Sequence, residues 1–190
     1  MGDIPGSHSL PAVLFSPEEL DALRRGDGAA ARSLVDRYAT GLKNFVMAYL
    51  RDEHAAEDVV QETLASACRN AANFDPAGGS FAGWLFRIAR NGALNHRRAR
   101  LRASAREGVE REEREARGPV EEIERRELRE LVRRALDGLD ENDRDVLVLC
   151  DMNGLSYREA AEAVGIAEKA LSVRLVRARN RLKDAVKALL

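Results

Sequence analysis

Apolar residues in this chain recur at three- and four-residue steps and hardly anywhere at the two-residue step of a half-buried strand. Phe81, Trp84, Leu85, Ile88 and Ala89 stand at i, i+3, i+4, i+7 and i+8. Leu171, Leu175, Ala178, Leu182, Ala185 and Leu189 step by 4, 3, 4, 3 and 4. A helix brings such residues back to one face, so each run buries one stripe and leaves the rest to solvent or a partner. Stop and start signals punctuate the runs. Ser16-Pro17-Glu18-Glu19 and Ser156-Tyr157-Arg158-Glu159 both read as capping boxes, and Asp27, Asp52 and Ser80 are N-cap residues. Gly26 and Gly165 suit helix ends, Gly165 in the left-handed position. The spacing predicts helices over 17–25, 28–50, 53–70, 81–100, 120–136, 141–151, 157–164 and 167–190. Aromatics are 5% of the chain, and Ala, Arg, Leu and Glu, all good helix formers, abound. The fold class is all-α.

Several functions are excluded at this level. Cys68 and Cys150 form no CxxC pair, and His8, His54 and His96 are scattered, so neither a disulfide scaffold nor a metal site is expected. No P-loop, GxGxxG or GxSxG is present, and no catalytic residues, cofactor or small-molecule substrate are expected. The many acids lie beside arginines in helix-face arrays and read as solvated, salt-bridged faces. No run of 18 apolar residues exists, so membrane insertion is not expected. The first fifteen residues lack the basic-then-apolar plan of a signal peptide. Free thiols without an export signal place the chain in a reducing cytoplasm.

The net charge of -1 conceals strong segregation. Between Arg87 and Arg106 there are seven arginines and no acid, and between Lys169 and Lys187 seven bases and one acid. Between Arg51 and Glu62 there are five acids and one base, and between Glu107 and Glu130 ten acids and six bases. Two basic segments on separate helices suggest two nucleic-acid faces, with acidic surfaces elsewhere. Residues 103–119 lose the apolar stripe, end in Gly118-Pro119 and read as a polar linker, partly helical at best.

Three constellations carry candidate chemistry. A capped short helix, then Gly165-Ile166-Ala167, then a long basic helix is the geometry of a helix-turn-helix. Its buried stripe leaves Lys169, Ser172, Val173, Val176 and Arg177 outward near the N-terminal end that meets major-groove base edges. The outward valines suit thymine methyls, while Arg174, Arg179, Arg181 and Lys183 are placed for phosphates. In the fourth helix an aromatic stripe runs into Asn91, Asn95, His96, Arg97, Arg98 and Arg100, which suits a phosphate backbone with bases. Trp84 reads either as a stacking platform or, by its register, as a core residue. Finally, Asp58, Gln61 and Glu62 at i, i+3 and i+4 share one polar face opposite an apolar stripe.

Taken together, AEDVVQET (56–63), FAGWLFRIARNGALNHRRAR (81–100) and LDENDRDVLVLCDMNGLSYREAAEAVGI (139–166) with SVRLVRARNRL (172–182) resemble the sigma-70 family. The similarity is to its small extracytoplasmic-function (ECF) group, and it covers about residues 16–100 and 121–190. It implies two small helical domains joined by a flexible linker: an extension over 1–15, region two over 16–102, the linker over 103–120 and region four over 121–190. It further implies a transcription initiation factor that binds core RNA polymerase, through the β′ clamp helices and β flap, and promoter DNA, with an anti-sigma factor as a further partner. Carried onto this chain, Asp58, Gln61 and Glu62 fall on the polymerase-docking face. Asn73, Phe74, Trp84, Arg87, Arg90, Asn91, Asn95, Arg97 and Arg98 fall on the −10 face, where the element is melted and a base captured. Tyr157, Lys169, Ser172, Val173, Arg174, Val176, Arg177 and Arg179 fall on the −35 face. The chain departs from the usual pattern at Asn95, commonly Asp, and in the turn Ala167–Leu171, commonly Pro-Val-Gly-Thr-Val. The competing reading is a helix-turn-helix regulator that does not bind polymerase stably; its usual α/β receiver has no counterpart in residues 54–100.

Overall fold

The computed structural model describes residues 15–107 and 123–190, and all regular structure among them is helical. The expected extension, up to residue 14, and residues 108–120 of the expected linker lie outside the described residues.

Helix α1 (Pro17–Arg24) starts where a reciprocal cap fixes it: the Glu19 N–H donates to the Ser16 hydroxyl at 3.2 Å, and the Ser16 N–H donates to the Glu19 carboxylate at 2.9 Å. Asp27 caps α2 (Gly28–Leu50), accepting from the Ala29 N–H at 2.7 Å. This helix ends at Arg51, whose φ of 53° lies in the left-handed region that a side chain disfavours. Arg51 is held there by an ion pair with Asp137, far along the chain. Asp52 caps α3 (Glu53–Asn70), a 3-10 turn follows at Ala71–Asn73, and Ser80 caps α4 (Phe81–Glu107), its hydroxyl accepting from the Gly83 N–H at 3.0 Å. The second half comprises α5 (Ile123–Asp137), α6 (Glu141–Leu147), a π-helical turn (Val148–Met152), α7 (Tyr157–Val164) and α8 (Glu168–Leu189). Ser156 and Glu159 form the second reciprocal cap, and Gly165 takes φ 77° between α7 and α8.

Three expectations are corrected. Helix α4 runs on to Glu107, so the segment expected as linker begins inside it. The Ala- and Arg-rich stretch after residue 100 is helix-favouring even without an apolar stripe. The helix expected over 141–151 finishes in the π turn, because the Asn153 N–H reaches back five residues to the Val148 carbonyl at 3.0 Å and its side-chain amide donates to the same carbonyl at 2.8 Å. The stripe of α8 is buried only at Leu171, Leu175 and Ala178; Leu182 is partly covered and Leu189 is 47% exposed. Helices α5, α6 and α7 all pack on α8, and its cover is complete only at Leu171, Leu175 and Ala178.

Helices α1 to α4 enclose Leu34, Leu42, Phe45, Val46 and Leu85, while α6 to α8 enclose Val146, Leu147, Leu149, Leu171 and Leu175, all nearly or fully buried. Emptying one such leucine position costs about 2–5 kcal/mol. The two halves touch chiefly where α7 lies across α4.

Candidate nucleic-acid interface

Each candidate surface is the face that a helix has left over after burying its stripe. On α3 the stripe Ala56, Val59, Val60, Thr63, Leu64 and Ala67 is buried, and Asp58, Gln61 and Glu62 are exposed on the other side. Glu62 is tied along the surface to Arg69 at 2.5 Å.

On α8 the outward residues near the N-terminal end are Lys169, Ser172, Val173, Val176 and Arg177. Val173 is 48% and Val176 58% exposed. The Ser172 hydroxyl donates to the Lys169 carbonyl at 2.9 Å, and Tyr157 is exposed at the start of α7. The arginines expected at phosphates are already engaged. Arg179 donates twice to Asp151, at 3.0 and 2.6 Å, and the bonds to Asp151 hold its proton more tightly than usual against the opposing effect of burial. Arg174 stands 3.6 Å from Asp143 and 3.9 Å from Asp140. Arg181 bonds the same two acids. Neither Arg177 nor Lys169 has an ion pair among the described residues, so both are free cations of this face.

On α4 the candidates divide. Arg87, Asn91, Asn95 and Arg98 are exposed, as is Asn73 in the preceding turn. Phe74 is 7% exposed, its ring 5.3 Å from that of Trp84 and 5.5 Å from that of Phe81. Trp84 is half-buried in this aromatic cluster, its ring 5.5 Å from that of Phe81. Arg90 and Arg97 point into the other half of the molecule. Arg90 Nε donates to Asp145 at 2.5 Å and its guanidinium lies 3.6 Å from Glu141, to which Arg97 also bonds. Asp145 is fully buried, and its second oxygen has no partner among the described residues. Burial therefore pushes its carboxyl up to about 7, against the nearby Arg174.

Glu162, Ser80 and Gly83 also join the halves, a role not assigned to them from the sequence. Glu162 on α7 accepts from the Ser80 N–H at 2.6 Å and the Ser80 hydroxyl at 2.7 Å, at the first turn of α4. Burial works to raise this carboxyl, but the bonds from Ser80 and Arg158 outweigh it and hold it below the usual carboxylate range. Gly83 is buried beneath α7; a Cβ there would lie 2.8 Å from the Glu159 carbonyl oxygen and 2.7 Å from Glu162 Oε2. A glycine inside a strong helical pattern, where it is unfavourable by about 1 kcal/mol relative to alanine, is a mark of such an approach. Beside it, residues Asn73, Asp75, Ser80, Trp84, Arg87 and Glu162 line a cavity of about 380 Å³. The described residues contain no cluster of potential metal ligands and no helix long and apolar enough to cross a membrane.

Comparison with known proteins agrees with this division. Residues 34–103 match Sigma-70 region 2, and residues 129–182 match Sigma-70 region 4. The ECF RNA polymerase sigma factor SigE of Mycolicibacterium smegmatis is 34% identical over 84% of this chain, which spans 63% of that relative's length. The RNA polymerase sigma-H factor of Pseudomonas aeruginosa is 32% identical over 90% of this chain and 93% of its own. Among solved structures, CnrH in complex with the cytosolic domain of CnrY superposes with a TM-score of 0.70 at 29% identity, covering 90% of this chain and 96% of that one. The sigma factor RpoE from Bartonella quintana, in complex with the anti-sigma factor NepR, gives 0.65 at 28% identity over 82% and 96%. With both regions matched in order on helices whose polar faces stand exposed, the chain belongs to the sigma-70 family of RNA polymerase sigma factors, in its ECF group.

Proposed function

We propose that this chain binds core RNA polymerase in the cytoplasm and selects promoters by reading their −35 and −10 elements, with no catalytic step of its own. The exposed pair Val173 and Val176 beside the unpaired Arg177, opposite the buried stripe of α8, carries the reading most directly. Apolar side chains on a basic outward face gain nothing in water but match thymine methyls, and an arginine can take guanine bidentately. Region four thus reads the −35 element through α8, with Lys169, Ser172 and Tyr157 at its edge, and Arg174 and Arg179 turn from their acids to phosphates. Region two engages the −10 element through Asn73, Arg87, Asn91, Asn95 and Arg98, with Arg90, Arg97, Phe74 and Trp84 once uncovered. Asp58, Gln61 and Glu62 dock on the β′ clamp helices, and region four on the β flap. The segment that follows α4 joins the two reading units. A protein partner of the anti-sigma type follows from the complex that relative RpoE forms with NepR.

The test is a titration of labelled protein with core polymerase in the absence of DNA. Asp58→Ala and Gln61→Ala each weaken binding several-fold with an unchanged melting temperature, because both side chains are exposed. Unchanged affinity in both variants contradicts the docking assignment.

A further inference from the structure

We propose that Arg24, on α1, is a positioning residue for −10 reading: it grips the loop after α3 by two backbone carbonyls and so fixes where Asn73 and Phe74 stand. The inference rests on the −10 role proposed above. It gives a task to a helix that precedes the segment matched to Sigma-70 region 2.

The contact is long-range and directional. Arg24 Nε donates to the Ala71 carbonyl at 3.2 Å, and Nη2 donates to the Phe74 carbonyl at 2.7 Å, across 47 and 50 positions of the chain. Its third nitrogen, Nη1, donates at 2.9 Å to Asp21, one turn back on α1, which aims the guanidinium. The two carbonyls stand at either end of the 3-10 turn Ala71–Asn73 that follows α3. Carbonyls at a helix end have lost their partners within the helix, and a cation there also meets the negative end of the helix dipole.

The rest of the loop is tied down by itself. The Phe74 N–H closes the turn on the Ala71 carbonyl at 3.3 Å, the Asp75 carboxylate accepts from the Ala77 N–H at 2.9 Å, and the Asp75 carbonyl accepts from the Gly78 N–H at 3.1 Å. Arg24 thus anchors to another helix the part that carries exposed Asn73 and buried Phe74, whose ring lies 5.3 Å from that of Trp84. A recognition residue has to be held within about 0.5 Å of its productive place by supporting bonds of this kind. The planar guanidinium fork spans two carbonyls at once; the point charge of a lysine does not.

The experiment compares the full-length wild type with Arg24→Ala and Arg24→Lys. Both replacements are good helix formers, so α1 and the circular dichroism spectrum are retained. One readout is the fluorescence of Trp84, the single tryptophan of the chain, which packs on Phe74. The other is transcription with core polymerase from template pools randomised in the −10 or in the −35 element. Both variants are expected to shift Trp84 emission to longer wavelength. One base position discriminates by roughly 5- to 150-fold, and both variants should lose most of this at the −10 element while keeping it at the −35 element. Arg24→Lys that keeps the −10 preference would mean that charge alone matters, and it overturns the role. So does an unmoved Trp84, or a loss shared equally by the −35 element. A wild type without −10 preference overturns the promoter reading, and this role with it. A wild type with that preference, unaltered in both variants, overturns the role of Arg24 alone.

Discussion

Asp145 shows how one residue couples folding to pH. It sits on α6, fully buried, with Arg90 on one oxygen, no donor on the other, and Glu141 and Arg174 nearby. Its carboxyl is raised from 3.8 to about 7, so between those values the folded chain holds a proton that the unfolded chain has released. Its contribution to stability therefore declines as pH rises from about 4 to about 7 and is level above that. Asp145→Asn removes this titration. Melting the two proteins across pH 4 to 8 should show the wild type losing stability relative to the variant over that window. A relative gain instead would mean that Arg90, not burial, governs the carboxyl. Nothing in the local sequence marks this aspartate among its many acidic neighbours, because its burial is created by α4, 55 positions away.

At the scale of elements, much was legible because helix caps and stripes are local. Ser16, Asp27, Asp52, Ser80 and Ser156 all cap the helices their types and positions suggest. The outward set on α8 also follows from its stripe. What stayed hidden depends on distant partners: the engagement of Arg179 by Asp151, the five-residue reach of Asn153, and the loss of cover beyond Ala178. The capture of Arg179 sharpens the expected behaviour of α8. Arg177→Ala should change which −35 bases are preferred, since one bidentate contact to guanine is worth about 1–3 kcal/mol of discrimination. Arg179→Ala should lower output evenly on all promoters, since its bonds run to Asp151 and, on DNA, to phosphate. Transcription from a template pool randomised in the −35 element distinguishes them. A shift of preferred bases by Arg179→Ala alone would mean that this face of α8 is turned differently on DNA.

The whole molecule combines two helical units, matched to Sigma-70 regions 2 and 4, and one unit lies across the other. A single DNA-reading module buries roughly 600–1,000 Å², less than the roughly 1,000–2,500 Å² of a full specific protein–DNA complex. In the proposed role, polymerase would fix both units at promoter spacing and so supply the effective concentration that the free protein lacks. The long-range contacts that set this arrangement, Ser80 with Glu162 and Arg90 with Asp145, join positions with no shared local pattern, whereas the order of the two units was plain from their motifs. The most direct test of the sigma-factor role is transcription in vitro on genomic fragments with core polymerase, with start sites mapped with and without the protein. Discrete new starts, each preceded by shared −10 and −35 sequences at constant spacing, are predicted only when the protein is present. Folded, polymerase-saturating protein that yields the same scattered starts as core alone would contradict it.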